Sequence, residues 1–316
     1  MIDKVVNEVR DAVVAVIKGS EDILTTLTGS VRNVVVSALK DTGDVGGAAV
    51  ETVASVTKGA VQGIGGTASE TVDTTAAVAG SAIKGVADVG GNLIEGTQGV
   101  VSGAAAGARE AGTDVGQTTV AAVTGTIGAV GEIGGDTIGV THVAVSSAVQ
   151  GIGDIGASTT GAISDVTQGA IAAVGGTTTA AIDAAGDVAG GAVEGLVKVG
   201  GDVIGGTTAA VSGVVKGVSE VGEDAVIGAK NAAGGAVHAI ADVGGDIGGV
   251  AVAAVSGAVS AIGDIGGDTI AVTRSAVVGV VDAASDIGEG AIDAVGSALR
   301  KTASIPKDVI DAALKK

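Results

Sequence analysis

The chain of 316 residues contains no Phe, Tyr, Trp or Cys, one Met and one Pro. Without cysteine there is no disulfide framework and no thiolate metal site. Without aromatic rings there is no platform on which bases stack, and the formal net charge of −18 supplies no basic surface for phosphates. Nucleic acid is therefore excluded as an expected partner. The same charge disfavours anionic membrane surfaces and leaves neutral lipid open. What remains is 58 Gly and a 46% hydrophobic fraction made almost wholly of Val, Ala and Ile. Burial must come from many thin contacts rather than a few thick ones.

Charge is unevenly spread: residues 41–299 hold 28 acids against 7 bases, whereas ten of the 17 Lys and Arg lie in 1–40 and 300–316. Three regions follow: N-terminal, less Gly-rich capping repeats (1–43), a Gly/Ala/Val-rich repeat region (44–299) and a basic C-terminal cap (300–316). The opening MIDKVVNEVRDAVVAVIKGSED offers a clean apolar run of only six residues, Ala12 to Ile17, too short for a secretory core. Uncharged runs of 17 (Val115 to Gly131, Thr137 to Gly153, Ile247 to Gly263) consist of small residues and end at acids. No conventional transmembrane helix is expected, which points to a cytoplasmic or membrane-associated protein.

The stretch EIGGDTIGVT, Glu132 to Thr141, returns twelve elevens later as DIGGDTIAVT, Asp264 to Thr273. A cut at every second eleven aligns Asp22, Asp44, Asp88, Glu110, Glu132, Asp154, Glu220, Asp242, Asp264, Asp286 and Asp308. Gly66, Gly176 and Lys198 interrupt that column. In each eleven, columns 2, 3, 6, 7 and 10 are mainly Val, Ile, Ala or Gly, and charges concentrate in columns 1, 5 and 8. An odd period reverses the faces of a strand at every step but suits a helix, where eleven residues make three turns of about 3.67. The expected fold is all-α: one very long, nearly continuous amphipathic helix of 11/22-residue repeats, on the order of 470 Å. It would assemble as a right-handed hendecad coiled coil or multi-helix barrel. A β-solenoid and stacked αα-hairpins are the alternatives.

Glycine opposes this helix. Two Gly per eleven residues cost roughly 1.6–2 kcal/mol relative to Ala. Burial of about two Val or Ile, at roughly 1.5–3 kcal/mol each, offsets this only against a partner surface. Helicity is thus conditional on assembly or lipid, and glycine inside the apolar arc suits close approach of helix backbones. The single proline, Pro306, should stop or kink the helix near Ser304.

The polar pattern offers carboxylate pairs four apart: Glu132 and Asp136, Glu220 and Asp224, Asp242 and Asp246, Asp264 and Asp268. On a helix each pair faces one way and makes a candidate divalent-cation site between chains. The competing and favoured reading is a solvated acidic face that keeps an apolar rod soluble. Ile133, Ile138, Val243, Ile265, Thr269, Ile270 and Thr273 fall on the opposite arc and are the expected assembly or lipid face. On that reading Ile270→Asp disrupts assembly and Asp268→Asn does not. The Gly-Gly-Asp-x-x-Gly pieces at Gly134–Gly139 and Gly200–Gly205 lack the alternation of calcium β-rolls. His142 and His238 fall in different columns, and no nucleophile, base or ligand cluster is evident, so neither an enzyme nor a cofactor is expected.

VTKGAVQG, Val56 to Gly63, and ETVDTTAAV, Glu70 to Val78, resemble the eleven-residue repeats of perilipins and, more loosely, of α-synuclein and the apolipoproteins. That resemblance implies amphipathic helices on lipid surfaces, although acids stand here where those families carry flanking lysines. Late-embryogenesis-abundant proteins share the period but are more hydrophilic. The hydrophobicity is closer to that of bacterial-type hendecad coiled coils, which implies long fibres. The expected function is a structural, self-assembling repeat protein, with itself as partner and lipid as a second one. A perilipin-like coat or a stress-protective chain that folds on binding are the alternatives.

Overall fold

The computed structural model describes residues 23–42, 47–64, 71–154, 159–177, 181–302, 305 and 307–314. Among these, helices alternate with corners of a few residues, and no strand occurs. The chain forms two compact units, Met1–Ala157 and Ser158–Lys316. The first contains α1 (Ile23–Thr42), α2 (Gly47–Ile64), α3 (Thr71–Asp88), α4 (Leu93–Ala111), α5 (Val115–Glu132) and α6 (Thr137–Gly153). The second contains α7 (Thr159–Thr177), α8 (Ala181–Lys198), α9 (Val203–Glu220), α10 (Ala225–Asp242), α11 (Ile247–Ile265), α12 (Thr269–Ile287), α13 (Glu289–Lys301) and α14 (Lys307–Leu314).

The all-helical expectation therefore stands, but the single continuous helix does not, nor the hendecad coiled coil or barrel built from it. The physical reason is a corner placed once in every two elevens. At Gly134 the backbone turns left-handed, with φ 73°, a region glycine enters without steric penalty. Gly134 N–H donates to the Gly131 carbonyl and Gly135 N–H to that of Val130, at 3.1 and 3.0 Å. These bonds close the end of α5 as a Schellman motif. One residue on, Asp136 starts α6: its carboxylate accepts from Gly139 N–H at 3.1 Å, and a methyl on Gly139 would crowd that carboxylate. The same left-handed glycine recurs at Gly90, Gly112, Gly200, Gly222, Gly244 and Gly266, in steps of two elevens except across the segment holding residues 155–158 and 178–180. Asn92, Asp114, Asp202, Asp224, Asp246 and Asp268 cap the helices that follow. The α12–α13 corner departs from this rule: it is shorter, and Gly288 adopts φ 135°, ψ 177°.

Within each unit the main packing is between helices two apart in the chain, with lesser contact between sequence neighbours. This is the stacked αα-hairpin arrangement. Helices α1, α3 and α5 form one layer of the first unit and α2, α4 and α6 the other, while α7, α9, α11 and α13 stack against α8, α10, α12 and α14 in the second. The stacked helices run parallel, because the sequence offset between touching residues is constant along the contact. Gly99 meets Val50, Gly103 meets Ala54 and Gly107 meets Lys58, so that each step of four on α4 is matched by a step of four on α2. A methyl on Gly103 would overlap the Ala54 carbonyl, and the same holds for Gly125 on Ala76, Gly213 on Ser164, Gly235 on Gly186 and Gly279 on Lys230. Mid-helix glycines thus let backbones touch, which recovers in dispersion and burial what they lose in helix propensity.

The partner surface demanded by so much glycine is supplied by the chain itself. Leu27, Val31, Val35 and Leu39 bury one stripe of α1 at steps of four, and Val, Ala and Ile fill the remaining core. Surface ion pairs follow the stack: Arg32–Asp88, Lys58–Glu110, Lys84–Glu132, Lys216–Asp264 and Lys230–Asp282 each join helices two apart at 2.5–2.9 Å. In every one the base lies on the earlier helix and the acid on the later. The Arg32 guanidinium, hydrogen-bonded to Asp88, holds that carboxyl below its ordinary range. Its contribution is present above the ordinary carboxylate pKa and is lost as pH falls through the lowered value. The pair is exposed, so it orients helices more than it stabilises them.

The expected stop near Ser304 and Pro306 lies outside the described residues. On either side of it α13 ends at Lys301 and α14 begins at Lys307.

Candidate functional site

The corners gather most of the residues singled out by the repeat. Glu132, Asp242 and Glu220 are the last residues of α5, α10 and α9, Asp264 lies in the last turn of α11, and Asp136, Asp246, Asp224 and Asp268 are the N-caps of the helices that follow. The two members of each carboxylate pair therefore do not share a helix face. The first member is available to the stack: Glu132 takes Lys84 Nζ at 2.6 Å, Asp264 takes Lys216 Nζ at 2.8 Å and Glu220 accepts from Gln168 Nε2 at 2.6 Å. The second lies at the positive end of a helix dipole and satisfies its open N–H groups. Among the described residues no group of three or more His, Asp or Glu side chains converges on a common centre. His238 approaches Asp286 Oδ2 at 3.8 Å across the stack, and His142 lies on α6.

The residues of the expected apolar arc divide. Ile133 and Val243 are the C-caps of α5 and α10, Ile265 ends α11, and all three are about two-fifths exposed (40%, 42% and 41%). Ile270, second residue of α12, is 69% exposed, and Thr269 beside it is exposed. Ile138 is half-buried, whereas Thr273 is buried and its hydroxyl donates to the Thr269 carbonyl at 2.6 Å. Sequence reasoning missed four further exposed corner residues, Ile94, Ile204, Ile227 and Ile287. For two of them the signal was present: Ile94 and Ile204 stand, with Ile138 and Ile270, at the same place in the double-eleven unit, immediately after a capped corner.

Two grooves of the second unit form around these residues. Ile204, Val243, Ile240 and Val203, with Asp246 at the rim, line one of about 360 Å³ between the α8–α9 and α10–α11 corners. Ile270, Val226 and Ala271, with Asp268 and Arg274, line another of about 460 Å³ where α10 and α12 begin. A third, of about 580 Å³, lies on α13 beneath α14, between Ile292, Gly296, Ser297, Arg300, Lys301 and Leu314. Here the terminal base Arg300 turns to Asp311 of α14 at 3.2 Å. Among the described residues one helix, α11, is long and apolar enough to cross a membrane by length and composition, and just over half of that stretch is buried against its neighbours.

The same geometry sets what substitutions at these two positions do to folding. Asp268 accepts from both Ile270 and Ala271 N–H at 3.0 Å. Asp268→Ala should lower stability by about 1 kcal/mol through the lost cap, whereas Ile270→Asp, on an exposed side chain, should stay within about 0.5 kcal/mol. Urea unfolding followed by far-UV circular dichroism reads both. No protein-family model matches the chain, and comparison with curated proteins gives no match.

Proposed function

We propose that the protein is a structural repeat scaffold that self-associates into homo-oligomers through the same helix-on-helix contact that builds each unit. The observation that supports this is the uniformity of the contact. Glycines of α4, α5, α9, α10, α11 and α12 each meet the backbone of the helix two places earlier at one sequence offset, a contact that the surface of a second copy can repeat. The partner is a second copy of the chain, and the role is mechanical and spatial rather than catalytic.

A second reading draws on the exposed corner residues. Ile94, Ile133, Ile204, Ile227, Val243, Ile265, Ile270 and Ile287 form apolar points along helix ends and suit contact with neutral lipid, the acids beside them disfavouring anionic headgroups.

Sedimentation velocity of the purified chain across a wide concentration range separates the two. Self-association should appear as concentration-dependent growth without detergent or lipid. A chain that remains monomeric throughout, yet floats with neutral liposomes, would remove the scaffold reading in favour of the lipid one.

A further inference from the structure

The groove between the α8–α9 and α10–α11 corners is a product of the repeat. Ile204 of the first corner leans across to the second, where a methyl on Gly249 would meet its Cδ1. Gly200, Gly201 and Gly245 contribute backbone alone, and Val203, Ile240 and Val243 supply an aliphatic wall. Five repeats of two elevens earlier the same residue types occur: Leu93, Ile94, Val130, Ile133 and Asp136 stand where Val203, Ile204, Ile240, Val243 and Asp246 do here. There too a side chain crosses between corners, since a methyl on Gly135 would meet Leu93 Cδ1. The exposed members agree as well, Ile94 and Ile204 both at 43%. Each unit therefore carries such a notch where two corners of one edge meet.

The notch of the second unit has an acidic rim. Asp246 lines it, and Asp202 and Asp242 stand exposed at the same two corners. The cap bonds occupy Oδ1 of Asp202 and Asp246, which accept from Gly205 and Gly249 N–H at 3.0 and 2.9 Å. Lys198, the base that ends α8, is drawn to Glu194 at 3.9 Å. In the first unit the rim is milder: Asn92 stands in place of Asp202, and Glu132, in place of Asp242, is held by Lys84. An apolar slot beside open carboxylates opposes anionic headgroups and a second acidic edge of the same chain, and complements a cation joined to an aliphatic chain. At about 360 Å³ the slot suits one alkyl chain better than the several side chains by which a helix docks.

We infer that the notch of the second unit binds a cationic amphiphile, with its alkyl chain between Ile204 and Val243 and its ammonium head among Asp202, Asp242 and Asp246. This rests on the reading of the exposed corner residues as apolar contact points and adds a charge preference at one place. The notch of the first unit takes the same chain with less preference for the head. Binding is salt-sensitive, because head and carboxylates meet in water.

Nuclear magnetic resonance of the full chain, labelled at its isoleucine δ1 methyls, tests it. The titrants are decyltrimethylammonium, decyl maltoside and decyl sulfate, each below its micelle concentration. The Ile204 and Ile240 methyls should shift and saturate about tenfold more tightly with the ammonium than with the maltoside, the sulfate should bind weakest, and high salt should bring the three together. At Ile94 the ammonium and the maltoside should lie closer. Ile227, 45% exposed but outside both notches, should not move. Ile204→Ser should abolish the Ile240 response and keep that of Ile94, which also reports that the chain is folded. Equal affinity for all three amphiphiles would overturn the inference, although apolar contact at the corners stands. So would a basic, leucine-rich helical peptide that shifts Ile204 where decyltrimethylammonium does not. If no amphiphile moves Ile94 or Ile204, the lipid reading falls as well.

Discussion

Gly125→Ala should destabilise the first unit by about 1–3 kcal/mol, even though alanine is the better helix former by about 1 kcal/mol. The added methyl overlaps the Ala76 carbonyl oxygen of α3, a backbone atom that cannot rotate away. Three residues on in the same helix, a methyl on Gly128 meets nothing within 4 Å. Gly128→Ala should accordingly stabilise by about 0.5–1 kcal/mol. The two substitutions are chemically identical and share one helix, so opposite signs isolate the close approach of backbones as the cause. With no aromatic residue the chain gives no fluorescence signal, and urea midpoints by far-UV circular dichroism, with amide exchange across α3 and α5, are the measurements. Equal stabilisation at both sites would mean that α3 and α5 do not touch as described.

Leu196→Ala should cost about 2–5 kcal/mol in the second unit. The side chain is fully buried at the end of α8, and its carbonyl takes Gly201 N–H at 3.0 Å to close the corner. Its methyl groups fill the space that Gly201 and Gly206 leave by having no side chain, so the cavity is walled by backbone and collapses poorly. Gly206→Ala alone should also destabilise, since its methyl points into a Leu196 methyl. Combined with Leu196→Ala, however, it partly refills the hole. The double variant should therefore be less destabilised than the sum of the singles, a coupling that reports direct contact. Strict additivity would argue against the placement of Leu196 over Gly206.

The helical class was legible because a period of eleven fits a helix and no strand. The corners were legible too, but in a signal that the eleven-residue cut dilutes. Gly134-Gly135-Asp136 and Gly266-Gly267-Asp268 stand an even number of elevens apart, and the intervening eleven, as in SAVVGVVDAAS, is plain helix. Treating both elevens as equivalent placed Ile133 and Gly134 on a helix face, whereas they belong to a turn. The acids show the same difficulty: Asp136 and Asp268 look like outer-face charges because a capping carboxylate and a solvated one have the same letter. The glycine two residues earlier, Gly134 or Gly266, which turns left-handed, is what marks the cap. Close approach of backbones was legible from glycine within the apolar columns. The identity of the approaching helix was not, because the offset from Gly103 back to Ala54 follows from the corner geometry and is no multiple of the period.

That offset constrains how such a chain can change length. Within a unit, insertion or loss of four elevens returns every helix to its own layer and each glycine to a receiving row. A change of two elevens would send all later helices to the opposite layer, and a single eleven would set a Gly-Gly-Asp turn where a helix middle must pass. Length variants of this protein should therefore come in discrete sizes, so that its gene behaves as a ruler graduated in whole hairpins.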